Sequence, residues 1–468
     1  MSKNPIYYSV IAALSGFLFG LDTIVISGAN LPLKELWNSS EWFHGFFIMS
    51  VALWGTLLGA IFGNIPCDKL GRRSTLFWIS VFYFISAIGT ALATDAYFFS
   101  MFRFLGGVAI GVSTIAAPTY ISEIAPYKFR GKLVGLFQMN IVVGILLAFV
   151  SNYLLSGVGG HNDWRLMLGI EAIPALLFLI LVLNIPESPR WLIIRKKKLA
   201  QGLKILNEIF GENHESPETI LRNIRNEQAE SLANELSSTP YRNTYILAFL
   251  MAFFNQASGV NFILYYAPEI LEKTGLAKED SLFGAVLIGV ANMVFTILGL
   301  ILIDKIGRRL LMIVGSFGYL ISLTMIILGF YTQADPVINL LGIIIFMSSH
   351  ALGQGTVIWV FISEIFPNRQ RATGQSFGAG VHWGLAALVT LFGSALISQL
   401  QPWQIFSIFL VFMVFQTVFV IGYMPETKGR PLEQVYPEAR LFRARSPDNS
   451  SLLKKAIPNK NFNISTNK

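Results

Sequence analysis

Long apolar runs, each about the length of a membrane crossing, recur along the whole chain, separated by short polar loops. A bilayer core of about 30 Å takes roughly 20 mostly apolar residues as a helix. Twelve such runs fall near 6–28, 44–66, 74–93, 96–120, 132–155, 165–185, 243–268, 281–303, 310–331, 337–362, 373–397 and 403–424. The pattern predicts an all-α membrane protein with 12 transmembrane helices. The first run is too long for the apolar region of a secretory signal and no A-x-A site follows it, so it reads as a retained helix.

Composition agrees: 53% of the residues are hydrophobic and 13% charged, against about 25% charged in a soluble domain. The basic residues are one-sided. Loops after the even-numbered runs hold Lys69, Arg72, Arg73, Lys128, Arg130, Lys132, the cluster 195–198, Lys305, Arg308, Arg309, Arg369 and Arg371, while the opposite loops hold chiefly Lys34, Lys273 and Lys278. Positive loops stay in the cytoplasm, so both termini are expected there. That asymmetry accounts for the net charge of +8 without nucleic acid as a partner, and leaves membrane lipid as the charged surface in reach. The single cysteine, Cys67, excludes an intrachain disulfide.

The chain also repeats itself. "DKLGRR" from Asp68 returns as "DKIGRR" from Asp304, "SEIAP" from Ser122 as "SEIFP" from Ser363, and "PES" from Pro186 as "PET" from Pro425, at offsets of 236, 241 and 239. Three ordered pairs at one spacing mean a tandem duplication. The expected organisation is a six-helix half over 1–186, a helical cytoplasmic linker over 187–242, a second half over 243–430 and a disordered tail over 431–468. Two pseudo-symmetric halves suit alternating access, with substrate held at midplane between them. The repeated charges sit at matching cytoplasmic helix ends: Asp68, Arg72, Arg73, Glu123, Arg130, Glu187 and Arg190 in one half, and Asp304, Arg308, Arg309, Glu364, Arg371 and Glu426 in the other. They read as a cytoplasmic gate, with plain positive-inside anchoring as the alternative.

Polar side chains inside membrane spans are costly and mark sites or interhelical bonds. Gln138, Gln256, Asn261 and Asn292 are of this kind. Together with the twin "GRR", "PESPRWL" at 186–192, "PETKG" at 425–429 and "NQASGVNFILYYAPE" at 255–269, they carry a resemblance to the sugar porter family of the major facilitator superfamily, running over about 6–435. Among its members the chain is most similar to bacterial proton-coupled pentose and hexose symporters. The resemblance implies the major facilitator fold and a sugar site made by Gln138, Gln256, Asn261, Tyr265, Tyr266, Asn292, Trp359 and Trp383, with Asn255, Phe19 and His382 beside them. Amides match sugar hydroxyls, which donate and accept, and rings match C–H faces. The chain departs from the family pattern at Leu21, at Asn255 in place of a glutamine, at Gly355 and Thr356, and at His382, which reads as a sugar ligand or as helix packing.

Glycines four apart, Gly55, Gly59 and Gly63, Gly107 and Gly111, and Gly374 and Gly378, read as close helix packing. "GAGVHWG" at 378–384 has the wrong spacing for a dinucleotide, and no G-x-x-x-x-G-K-[ST] occurs. No nucleotide cofactor or metal is expected, and no acid/base, nucleophile or metal set points to an enzyme. Accumulation then needs an ion gradient. Asp22 and Arg103 lie at similar depth in the first and fourth runs. The resemblance gives them the parts of proton carrier and modulator. Proton/monosaccharide symport follows, with a static salt bridge in a uniporter, a polyol substrate, sodium coupling and a sugar sensor as alternatives. The expected partners are a monosaccharide, a proton and lipid, for a monomer in a bacterial inner membrane.

Overall fold

The computed structural model describes residues 5–126, 129–210, 222, 241–366 and 368–429. Twelve helices in it are long and apolar enough to cross a membrane: α1 Pro5–Leu36, α2 Glu41–Phe62, α3 Arg72–Ala91, α4 Ala96–Ile124, α5 Arg130–Leu155, α6 Gly160–Val182, α7 Arg242–Glu272, α8 Lys278–Ile306, α9 Arg308–Tyr331, α10 Pro336–Ile365, α11 Thr373–Gln399 and α12 Pro402–Gly422. Between α6 and α7 run two shorter helices, Pro189–Ile194 and Leu199–Phe210. The second is amphipathic and seats Leu206 and Ile209 against the protein, with its Gly202 closed up to Ile193. The rest of the segment 211–240, the tail 430–468, Lys128 and the side chain of Arg369 lie outside the described residues.

Four helices depart from the runs read in the sequence. The first continues past Gly28 to Leu36, because Ala29, Asn30 and Leu33 stay buried and keep the helix inside the bundle. The seventh breaks at Gly259, whose φ of +84° is left-handed, so α7 is two helices, Arg242–Ala257 and Val260–Glu272, set end to end. The tenth opens into a π-helical turn at Ala351–Gly355, and α2 does the same at His44–Ser50. Such turns concentrate at functional sites.

Small residues decide which helices meet closely. A Cβ on Gly144 of α5 would strike the carbonyl of Phe17 on α1, and one on Gly107 of α4 would strike that of Ala52 on α2. Gly55, Gly59 and Gly111 face backbone across the same α2–α4 contact, while Gly374 and Gly378 close on Phe366 and Ile362. With no hydrophobic drive between helices in lipid, this backbone approach supplies the dispersion contact that holds each half together.

The two halves touch through α5 on α8, α2 on α11 and α1 on the second part of α7. Their contact is unequal at the two ends. At the end away from the repeated "GRR" motifs, Asn30 donates to Glu269 at 2.8 Å, Ser394 donates to Glu41 at 2.6 Å, and Lys278 stands 3.8 Å from Asp163. At the "GRR" end, Gly131 and Gly135 at the start of α5 face open space. Among the described residues, the polar contacts between the halves all lie at the first end.

Candidate functional site

Deep in the first half, Asp22 of α1 and Arg103 of α4 form an ion pair at 0% and 2% exposure. Arg103 Nη1 donates to Asp22 Oδ1, and Nη2 donates to the Asp22 carbonyl at 3.0 Å. Asp22 Oδ2 has no partner. Gly106 sits over it: a Cβ there would come 2.7 Å from Oδ2, so only glycine leaves that oxygen room. A third charged residue, Glu171 at the head of the second part of α6, is also buried, leaves Oε1 unpartnered, and lies within electrostatic reach of both. The sequence reading passed over Glu171. Its signal was the same as that of Asp22, a lone acid inside an apolar run.

The break in α7 gathers amides. Gln256 Nε2 donates to Asn255 Oδ1 at 2.9 Å and faces a ring nitrogen of His382 at 3.2 Å, while Asn261 donates to Gln256 Oε1 at 2.9 Å. A continuous helix would point residues five apart away from each other; the left-handed Gly259 folds Asn261 back onto Gln256. Around them stands an aromatic wall. His382 packs between Trp359 at 4.9 Å and Trp383 at 4.7 Å, and Trp383 meets Phe19 of the first half at 5.5 Å.

Gln138 on α5 is half-buried and Asn292 on α8 buried. Tyr265 is fully buried with its hydroxyl unpartnered, whereas Tyr266 donates to the Thr390 carbonyl at 2.8 Å and so ties α7 to α11. A histidine that the sequence reading left aside, His350, shares a 2.6 Å hydrogen bond with Tyr319 just before the π-turn of α10. Such a surface offers donors, acceptors and ring faces at one place, which suits a small polyhydroxylated ligand.

The repeated charges form the same figure twice. Arg72 pairs with Glu123 at 3.0 Å and Asp68 at 3.3 Å; Arg308 pairs with Glu364 at 2.8 Å and Asp304 at 3.0 Å. Glu187 accepts the backbone N–H groups of Arg72 and Arg73, and Glu426 those of Arg308 and Arg309, so the glutamates of "PES" and "PET" cap the starts of α3 and α9. Gly71 and Gly307, at φ +103° and +95°, leave the room these caps need. Arg73 donates to the Leu183 carbonyl at 2.7 Å, and Arg309 to that of Val420 at 3.4 Å. Arg130 opens α5, Arg371 lies in the first turn of the helix Asn368–Gln399 that continues as α11, and Arg190 lies within electrostatic reach of Glu123. The pairs that Arg72 and Arg308 make here each stay within one half.

A model of sugar (and other) transporters matches residues 8–438. The chain belongs to the sugar transporter family. This sugar transporter is 35% identical over 440 residues to the arabinose-proton symporter of Bacillus subtilis (strain 168), covering 92% of this chain and 94% of that one. It is 31% identical over 474 residues to the D-xylose-proton symporter of Escherichia coli (strain K12), covering 91% and 94%. Among solved structures, the partially occluded inward-open form of the xylose transporter XylE from E. coli superposes with a TM-score of 0.82 at 30% identity, covering 92% of this chain and 100% of that one. The proton:xylose symporter XylE bound to 6-bromo-6-deoxy-D-glucose gives 0.74 at 31% identity, covering 92% and 98%. The sugar transporter is therefore a multi-pass membrane protein of the major facilitator fold, and a transport protein rather than an enzyme.

Proposed function

We propose that this sugar transporter is a proton-coupled monosaccharide symporter working by alternating access, with a pentose or hexose as substrate. The observation that carries the reading is the Asp22–Arg103 pair, buried a short way from an amide and aromatic surface that both halves share through Phe19 and Trp383. Arg103 holds the carboxylate charged, and burial favours its neutral form, so a change in that one contact moves a proton. Relatives named as arabinose-proton and D-xylose-proton symporters support the coupling and the substrate class. In the site, Gln138, Asn255, Gln256, Asn261 and Asn292 bind hydroxyls, Trp359, Trp383 and Phe19 cover the ring faces, Tyr265 and Tyr266 close the outer side, and His382 is a sugar ligand. A uniporter in which the pair is a static brace is the competing reading, favoured by the closed Arg103–Asp22 contact in this state. Reconstituted uptake of a labelled panel of pentoses, hexoses and polyols, with and without an imposed pH gradient, decides between them: accumulation only with the gradient is expected, and equal uptake without it overturns symport.

In this reading the basic end faces the cytoplasm of a bacterial cell, both termini lie there, the chain acts as a monomer in contact with lipid, and the structure is inward-facing. The divisions 1–186, 187–242, 243–430 and 431–468 are its working parts. The cytoplasmic charges are the inner gate. Among the described residues nothing accepts from Nε and Nη2 of Arg371, and in this reading the cation meets a carboxylate when that end closes. Arg371→Gln is expected to shift the population toward the open inner gate by up to about fivefold, the worth of one exposed pair. Spin-label distances across the inner end check this; an unchanged distribution contradicts the gate.

A further inference from the structure

The closed outer end contains a histidine that neither substrate nor Asp22 uses. His44 begins the π-helical turn of α2 and is wholly buried. Its Nε2 lies 2.8 Å from Asn30 Oδ1, and its Nδ1 lies 3.0 Å from Ser39 Oγ. Asn30 in turn donates from Nδ2 to Glu269 of the second half at 2.8 Å. Because the amide group that reaches Glu269 must be the donor, the oxygen facing His44 must accept, which fixes the ring proton on Nε2. The result is a relay across the gate: histidine to asparagine in one half, asparagine to glutamate in the other.

The charged groups around the ring are few. Lys34 on α1 and Glu41 at the start of α2 are paired with each other at 2.8 Å, and Ser394 of α11 donates to the same carboxylate at 2.6 Å. Glu269 lies one amide further off. Of the other helices packed on this turn, α4 brings Arg103, which Asp22 holds, and α11 has no ionisable residue beyond His382. Among the described residues, no carboxylate is hydrogen-bonded to the imidazole.

We propose that His44 is a second proton-binding site, separate from Asp22, whose occupancy sets the outer gate. When the gate opens, the ring meets water and takes a proton. Closing again removes that water and supplies no carboxylate in exchange, since Glu41 is already neutralised and Glu269 is reached only through Asn30. The charged ring therefore favours the open gate. An acidic exterior holds the transporter open to the side from which Asp22 loads, and loss of the His44 proton releases the gate to close.

This inference rests on the alternating-access reading above. Its test uses the full chain in lipid nanodiscs with Cys67→Ser, Asp22→Asn to remove the other titration, and spin labels at Leu36→Cys and Ala277→Cys, two exposed sites at the outer end on opposite halves. The open-to-closed ratio is expected to rise as pH falls, by up to about tenfold per unit where His44 titrates. His44→Gln, which keeps a donor for Asn30 but cannot titrate, is expected to flatten that response. A ratio that ignores pH or falls with acid before any change at His44, or a slope that survives His44→Gln, overturns the proposal. Should His44→Gln fail to insert, His44→Asn replaces it, and the titration of the Asp22→Asn protein alone still refutes the proposal if it is flat. Absence of sugar exchange and of any second distance population in the parent protein instead refutes alternating access itself.

Discussion

Asp22→Asn is expected to abolish accumulation of sugar against its gradient while exchange of labelled for unlabelled sugar continues. The asparagine fills the same volume and still accepts from Arg103, and Glu171 stays within electrostatic reach of that cation, yet the amide neither binds nor releases a proton. A single proton moved through 100 mV supplies about 2.3 kcal/mol, enough for roughly a 50-fold concentration ratio. That ratio should fall to one in the variant. Counterflow needs only the binding and reorientation of the loaded carrier, which in the proposed mechanism use Gln256, Asn261 and the tryptophans rather than the carboxylate. Removing Arg103 instead is expected to be worse for the folded protein, because Asp22 and Glu171 then share one buried site without a counter-charge. Concentrative uptake by Asp22→Asn proteoliposomes contradicts the assignment of Asp22.

The second large effect is at Gln256. Its amide is shared among Asn255, Asn261 and His382, so Gln256→Ala unpins Asn261, which then turns its donor elsewhere, and in the proposed site it also removes a group offered to the sugar. Loss of a hydrogen bond with a buried partner left unsatisfied costs about 2 kcal/mol, or about 30-fold in affinity. Titration calorimetry or quenching of Trp359 and Trp383 fluorescence by sugar measures it. An affinity within twofold of the parent protein contradicts the place of the α7 break in the site. The turnover of sugar-saturated Gln256→Ala should change far less than its affinity, since the proton pair and the gates are untouched.

The twelve spans and the two halves were legible because each rests on a long-range property of the sequence, apolar length in one case and repeated motifs in the other. The kink at Gly259 was not. Apolar residues continue on both sides of it, and glycine is common in membrane helices, so nothing local separates a packing glycine from one that turns left-handed. Its consequence, Asn261 folded back onto Gln256, is what makes the site compact. Asp22 and Arg103 were brought together by depth alone, a one-dimensional argument that works for straight helices of known direction; they are hydrogen-bonded in the fold. Glu171 carries the same signal, an acid inside an apolar run, and the fold buries it within electrostatic reach of both. The glutamates at 187 and 426 were read as gate charges from their repeat positions. That their carboxylates cap α3 and α9 could not be read, since the backbone N–H groups they accept lie more than a hundred residues away. The outer network of Asn30, His44 and Glu269 was invisible for a plainer reason. Asn30 fell in a presumed loop, and only the extra helical turns beyond Gly28 carry it into the bundle.

In proton symport, sugar and proton move together. Proteoliposomes holding the parent protein and an internal pH dye, with equal pH on both sides and no membrane potential, test it most directly when sugar alone is added outside. Sugar entry is expected to acidify the lumen, and Asp22→Asn vesicles to exchange sugar with no such change. Sugar entry into parent vesicles without acidification, or acidification that persists in Asp22→Asn, would contradict it.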